Sequence, residues 1–383
     1  MAEPGSGRVR ELWAQGQSIW LDYISREMVA GGGLRRLVEE VGVRGETSNP
    51  SIFEKAIGGG DAYDAQLRDL ARKGLDAEAI YDRIAVADVQ AACDVFRPLY
   101  DSTGGADGYV SIEVSPRAAY DADLSISEAH RLWEAVGRPN VMIKIPGTAE
   151  GIPAVRRCLA DGININITLL FSLAHYTAVV EAFMQALEDR AARGQGVAGI
   201  ASVASFFVSR VDTVCDKLIE ERLGEVVDAR QRQLLEDLRG RVGVANSRVV
   251  YERFSALVSS PRWQRLAALG ARRQRVLWAS TGTKNPSYSD VLYVDQLIGP
   301  DTVNTVPEAT LRAFLDHGRV QRTVDADVER AHADLAALAE VGIDLDRETE
   351  ELQREGVRLF TKAHDGAVQS VEAKRVRFAA EQE

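Results

Sequence analysis

Lysine is scarce in this sequence. Of 46 basic residues only seven are lysine (55, 73, 144, 217, 284, 362 and 374), so the other 39 are arginine. Where a bare positive charge suffices, the chain uses a guanidinium. Cysteine is scarcer still: Cys93, Cys158 and Cys215 are odd in number, widely spaced and set in segments that read as helix. This fits reduced thiols and excludes a disulfide framework, with a catalytic or ligand cysteine as the minor alternative. The five histidines (130, 175, 317, 332 and 364) show neither His-x-x-x-His nor Cys-x-x-Cys spacing, so a metal site has no support and exposed helix-surface histidines are expected. No apolar run approaches a membrane span, and the opening "MAEPGSGRVR" has no hydrophobic segment of the signal-peptide kind. A cytoplasmic protein is expected. No Lys/Arg block offsets the net charge of −11, which argues against nucleic-acid binding and requires any anionic substrate to find a local basic pocket.

Against that background one lysine stands out. In "PNVMIKIPGT" (139 to 148), Val141, Met142, Ile143 and Ile145 suit a buried strand, yet Lys144 lies among them with a charge that is costly to desolvate. A lysine kept there points to a task that needs an amine able to lose its proton and attack, which a guanidinium cannot do.

Short β-like runs alternate with helical patterns along the chain. The runs are 18 to 23, 43 to 49, 108 to 114, 140 to 145, 162 to 168, 199 to 205, 275 to 280 and 301 to 306. Helical spacing marks 83 to 100, 149 to 160, 172 to 193 and 307 to 317, with Ser172 as an N-cap. Eight strand-helix units predict a closed (β/α)₈ barrel of the TIM type. The longer connections 50 to 107 and 206 to 274 predict extra helices on the barrel. The whole chain reads as one domain, with a core of about 18 to 318 and a charged helical extension over 319 to 383.

Side chains alternate along a strand, so parity sorts them. Val110, Ile112 and Val114 oppose Tyr109, Ser111 and Glu113; Ile163, Ile165 and Ile167 oppose Asn164, Asn166 and Thr168. The aliphatic parity is expected to pack on the helices and the polar parity to face the interior, along with Lys144. Adding strand ends gives an inward set of Asp22, Thr47, Asn49, Glu113, Lys144, Asn166, Thr168, Ser205 and Ser280. Singly each has a bland reading, such as a cap, a turn or a salt-bridge partner. Together, at the C-terminal end of one barrel, they read as an active site. A buried amine with two acids and no cofactor motif suggests Schiff-base chemistry on a carbonyl substrate. Asp22 would act on a substrate hydroxyl, and Glu113 on the water lost and regained with the imine.

Six ordered motifs, "TSNPSIF" (47 to 53), "SIEVSP" (111 to 116), "MIKIPGT" (142 to 148), "NINITLLFS" (164 to 172), "ASFFVSRVD" (204 to 212) and "WASTGTKNP" (278 to 286), resemble the transaldolase family, specifically its longer bacterial subgroup. The resemblance implies a cofactor-free transfer of a dihydroxyacetone unit from sedoheptulose 7-phosphate to glyceraldehyde 3-phosphate. Lys144 would form the imine, Asp22 would be the acid/base for C–C cleavage, and Glu113 would act through water. Thr47, Asn49, Asn166, Thr168 and Ser205 would hold the substrate hydroxyls and that water. Arg210 would bind phosphate with help from Ser280, and Phe207 would adjoin the pocket. Shorter transaldolases carry a second phosphate-binding arginine two residues after that serine. Here Gly282 has that position and Lys284 is the nearest cation. The implied partners are phosphorylated sugars, with the protein a monomer or homodimer. Two alternatives stay open. One is a fructose 6-phosphate aldolase, whose relatives look like Gln and Tyr at the positions of Glu113 and Phe207. The other is a silent phosphosugar-binding barrel, which would keep Arg210 while losing Lys144 or Asp22.

Overall fold

The computed structural model describes residues 6–380; residues 1–5, and 381–383 at the end of the expected extension, lie outside the described region. Eight parallel strands close into a barrel in sequence order: β1 Gln17–Leu21, β2 Gly45–Thr47, β3 Tyr109–Glu113, β4 Val141–Pro146, β5 Ile165–Leu170, β6 Ser202–Phe207, β7 Arg275–Ala279 and β8 Thr302–Val306. β1 pairs with β8, Gln17 opposite Thr302 through Leu21 opposite Val306, which closes the cylinder. All eight expected strands exist. β2 is shorter than expected, and β5 runs two residues further because a register shift between Ile167 and Leu170, with Leu169 at φ 61°, lets the strand bend and continue.

Two apolar clusters follow the predicted parity. Val110, Ile112, Val141, Ile143, Ile145, Ile165 and Ile167 belong to the layer between strands and helices. Trp20, Tyr109, Met142, Val203, Leu277 and Val303 fill the middle of the barrel. The long connections hold helices as expected, including Pro50–Gly58 and Ala77–Ser102 before β3, and Ser209–Glu225, Ala229–Leu238, Val242–Val258 and Pro261–Ala268 before β7. The Ser172 hydroxyl accepts the His175 N–H at 3.0 Å, capping Leu173–Ala192. No helix among the described residues is long and apolar enough to cross a membrane.

The extension ends in a 36-residue helix, Leu345–Ala380. Its charge conceals a stripe at three- and four-residue spacing, Thr349, Gln353, Gly356/Val357, Phe360, Ala363/His364, Ala367 and Val371, that is buried. This face docks over the C-terminal ends of the strands. Gln353 Nε2 donates to the carbonyls of Gly147 and Leu169, each at 3.0 Å. The same helix overturns one expectation about histidine. His364 lies on its inner face and is buried, and His175, also buried, meets Glu350 of that helix at 2.8 Å. The three cysteines are buried and unpaired in helices, and burial raises their thiol pKa values, that of Cys158 to about 12.

Candidate active site

The centre is assembled by strand register. Glu113 on β3 lies opposite Lys144 on β4, and Lys144 lies opposite Asn166 on β5, so three neighbouring strands present three polar side chains at one level. The Lys144 ammonium donates to the Ser48 carbonyl at 3.1 Å and sits 3.4 Å from Glu113 Oε2, with both side chains almost wholly buried. At that length the pair is an ionic contact rather than a tight hydrogen bond, and both Glu113 oxygens lack a hydrogen-bond partner among the described residues. An unsatisfied buried carboxylate is costly in a finished core and expected where a substrate or a water must bind. The ring of Phe360, from the covering helix, lies 5.5 Å from the Lys144 nitrogen and shuts this side of the site.

Two hydroxyl networks flank the lysine. Ser205 Oγ donates to Asn166 Oδ1 at 2.6 Å, and Asn166 Nδ2 donates to Ser111 Oγ at 3.0 Å, which fixes the orientation of the amide. Across the mouth, Thr47 donates to Asp22 Oδ1 at 2.9 Å and lies 2.6 Å from the Thr305 hydroxyl. Asp22 follows β1 and still pairs with β8 through its N–H to the Val306 carbonyl. Burial raises the carboxyl pKa of Asp22 against the opposing charges of Lys144, Lys284 and Arg210, and burial raises that of Glu113 against Lys144. Both acids are thus more basic than an exposed carboxylate, as a proton acceptor must be. Thr168 faces the same interior with its hydroxyl buried and without a hydrogen-bond partner among the described residues. A cavity of about 390 Å³ is lined by Ser48, Asn49, Glu113, Tyr81 and His364 among others.

Asn49 and Ser280 are placed differently from the rest. The Asn49 side-chain oxygen Oδ1 accepts the Ile52 N–H at 3.2 Å and caps the helix Pro50–Gly58. Ser280, at φ 54°, has left the β7 parity. Its hydroxyl lies 2.9 Å from that of Ser209 and its carbonyl accepts the Ser209 N–H, so it is tied to the start of the helix Ser209–Glu225 rather than turned into the barrel.

Arg210 is the second residue of that helix. Its guanidinium lies over the Phe207 ring at 5.1 Å and makes no ion pair among the described residues. Lys284 is exposed and likewise unpaired, yet its charge acts on Asp22, as does that of Arg210. At Gly282 a Cβ would meet Pro307 at 3.2 Å. A side chain there would require Pro307 to give by a few tenths of an ångström, and Lys284 is the cation that this loop carries. Phe207 is the last residue of β6, on the interior parity, and packs on Phe171 at 5.0 Å. It belongs to the strand rather than to the following helix.

Sequence reasoning sorted Ser111 inward without counting it among the candidates, and passed over Ser209 and Thr305. Thr305 shares the inward parity of Val303, and the same alternation applied to β8 finds it. Ser209 acts through its pairing with Ser280, which parity cannot detect. Phe360 and Gln353 come from the extension, more than 180 residues downstream of Leu169, and local pattern says nothing about that contact.

The C-terminal mouth of this (β/α)₈ barrel thus holds a buried amine, two carboxyls of raised pKa and two cations with no ion pair among the described residues. The comparison with known families is specific. The family described as Transaldolase/Fructose-6-phosphate aldolase matches residues 19–371. The chain is 46% identical over 366 residues to a protein of Trichodesmium erythraeum named Transaldolase, covering 95% of this chain and 96% of that one. It is 49% identical over 351 residues to a Transaldolase of a Parafrankia species, covering 91% and 93%, and 46% identical over 364 residues to Transaldolase 1 of Streptomyces avermitilis, covering 95% and 94%. The chain belongs to the transaldolase/fructose-6-phosphate aldolase family.

Proposed function

We propose that the protein is a transaldolase of the non-oxidative pentose phosphate pathway. It moves a dihydroxyacetone unit from sedoheptulose 7-phosphate to glyceraldehyde 3-phosphate, giving erythrose 4-phosphate and fructose 6-phosphate. The observation that carries this reading is the Lys144–Glu113 contact of 3.4 Å, a buried amine beside a carboxylate with unsatisfied oxygens.

The steps follow from the groups present. Lys144 must shed a proton before it can attack, and Glu113, made more basic by burial, is the acceptor beside it. The amine adds to the ketose C2 carbonyl. Glu113 returns the proton to the departing hydroxyl, water leaves, and a protonated imine forms. Asp22 then takes the proton of the C4 hydroxyl; the C3–C4 bond breaks, its electron pair passes into the imine as an enamine, and the aldose departs. The acceptor aldehyde is attacked by the enamine carbon while Asp22 gives its proton to the new hydroxyl. Addition of water, with Glu113 as base, releases the product and restores the lysine. Thr47 and Thr305 orient Asp22, and Ser205 and Ser111 orient Asn166 toward the substrate hydroxyls. Arg210 and Lys284 hold the phosphate.

Phe207 supports transfer over release, because no hydroxyl at its position can protonate the enamine. One coupled assay with fructose 6-phosphate tests the reading. Turnover should require erythrose 4-phosphate, and borohydride should trap a three-carbon adduct on Lys144. Equal turnover without acceptor would identify a fructose 6-phosphate aldolase, and an adduct on another lysine would overturn the assignment of Lys144.

A further inference from the structure

The helix Ser209–Glu225 carries Arg210 in its first turn and two aspartates four residues apart, Asp212 and Asp216, which therefore share a face. The fold uses them identically. Asp212 Oδ1 accepts the Gly243 N–H at 2.6 Å and Oδ2 accepts the Tyr293 hydroxyl at 2.8 Å. Asp216 Oδ1 accepts the Gly240 N–H at 2.9 Å and Oδ2 accepts the Tyr288 hydroxyl at 2.8 Å. Asp212 thus joins its helix to the first turn of Val242–Val258 and Asp216 joins it to the turn just before, and both reach the segment that follows β7.

Lys284 lies on that segment. Thr283 Oγ1 donates to the Ser289 carbonyl at 2.8 Å and the Ser287 N–H donates to Asn285 Oδ1 at 3.0 Å, so residues 283–289 form a closed loop with Tyr288 as its anchor. The anchor is tight. Gly240 has φ 68°, and a Cβ there would come within 2.6 Å of the Tyr288 ring. A buried carboxylate such as Asp212 is costly unless fully hydrogen-bonded, and with the half-buried Asp216 beside it on the same face the pair is a large commitment for holding a surface loop. What the arrangement fixes is the position of the loop bearing Lys284 relative to the helix bearing Arg210.

We propose that the Asp216–Tyr288 and Asp212–Tyr293 pairs form a double clasp that sets the separation of Lys284 and Arg210, making Tyr288 and Tyr293 positioning residues for recognition of the substrate phosphate. This rests on the reading of those two cations as the phosphate site. The clasp accounts for how an exposed, flexible lysine can serve where a rigid arginine fork is absent: its backbone is held, so less freedom is lost on binding.

The test is a double-mutant cycle with two acceptors, glyceraldehyde 3-phosphate and unphosphorylated glyceraldehyde, with melting temperature measured alongside. Tyr288→Phe is expected to raise KM for the phosphorylated acceptor about three- to tenfold, the scale of one weakened charge-assisted contact. Neither kcat nor KM for glyceraldehyde should change by more than about twofold. In the Lys284→Ala background the Tyr288→Phe effect should vanish, because the residue it positions is gone. Asp216→Asn, which reaches the same contact from the other side, should show the same dependence on Lys284 even if Tyr288→Phe folds poorly. Additive effects in both cycles, or an equal rise for both acceptors, would overturn the clasp and leave only a packing role. If instead Arg210→Ala and Lys284→Ala themselves leave KM for the phosphorylated acceptor unchanged, the phosphate site is wrong and the clasp falls with it.

Discussion

The barrel is charged at both ends, and the two ends are built in opposite ways. At the N-terminal end Asp107 is surrounded. It accepts from Arg44 at 2.7 Å, Arg275 at 3.0 Å, Ser18 at 2.7 Å and the Trp20 indole at 3.4 Å, and Arg275 also donates to Ser18 and to the Thr302 carbonyl. At the C-terminal end Lys144 reaches Glu113 only at 3.4 Å, both Glu113 oxygens lack a hydrogen bond, and Arg210 and Lys284 have no carboxylate in ion-pair range among the described residues. Between them lies the apolar layer of Trp20, Met142, Val203 and Leu277. A buried charge in a barrel is therefore not in itself a sign of chemistry. Incomplete partners alone are not the sign either, since Glu46 on the opposite face of β2 from Thr47 is buried with neither oxygen hydrogen-bonded among the described residues; the sign is incompleteness at the barrel mouth, where a substrate can supply the missing interactions.

The sharpest break of this comparison is Lys144→Arg. The guanidinium keeps the charge but cannot form an imine, so turnover and borohydride trapping should be lost while circular dichroism and melting temperature stay near those of the parent. Collapse of the fold instead would mean that the upper end is structural as well. Next in size is Asp107→Ala at the lower end, which strands Arg44 and Arg275. About 3–5 kcal/mol of stability should go, read by urea titration, with kcat per folded molecule unchanged. A fall in kcat at constant folded fraction would erase the distinction between the ends. Arg210→Ala should cost about 1.5–3 kcal/mol of phosphate binding, a rise in KM for phosphorylated sugars of roughly one to two decades, with little loss of stability because the side chain has no ion pair among the described residues.

The smallest effect concerns Asp212, whose donors do not fully offset its burial. Its carboxyl is raised to about 6, with burial the main cause and the Gly243 N–H and Tyr293 hydroxyl opposing. Between pH 4 and 6, roughly, the folded chain holds a proton that the unfolded chain has lost, so this group makes stability fall as pH rises through that window. The slope is at most about 1.4 kcal/mol per pH unit. Asp212→Asn should flatten the dependence of melting temperature on pH over that window relative to the parent; an unchanged slope would mean that the carboxylate is as well satisfied as Asp107.

Much of the site could be read from alternation alone. Glu113, Lys144, Asn166, Thr168 and Ser205 face inward as parity requires, and the same rule covers Ser111, sorted inward but not counted as a candidate, and Thr305, which was passed over. It fails at Ser280, where a positive φ takes the chain off the strand, and at Asn49, whose side chain is shared with a helix N-terminus. It has nothing to say about Arg44, Asp107 and Arg275, which meet from three distant segments. The helical extension was legible as helix but not as a cover for the barrel mouth, since its charged composition conceals the buried stripe from Thr349 to Val371.

What the sequence by itself determined is therefore the set of local periodicities: eight strands, their inward faces, the helices between them, and the one lysine set among apolar neighbours. These depend on residues two to four apart, and the backbone geometry that reads them is the same in every protein. Only the tertiary structure decided which charges find partners. It completes the hydrogen bonding of Asp107, leaves Glu113, Arg210 and Lys284 open, and draws a helix from the end of the chain over Lys144. Whether a charge is satisfied depends on groups that arrive from far along the chain, over distances that no local pattern spans.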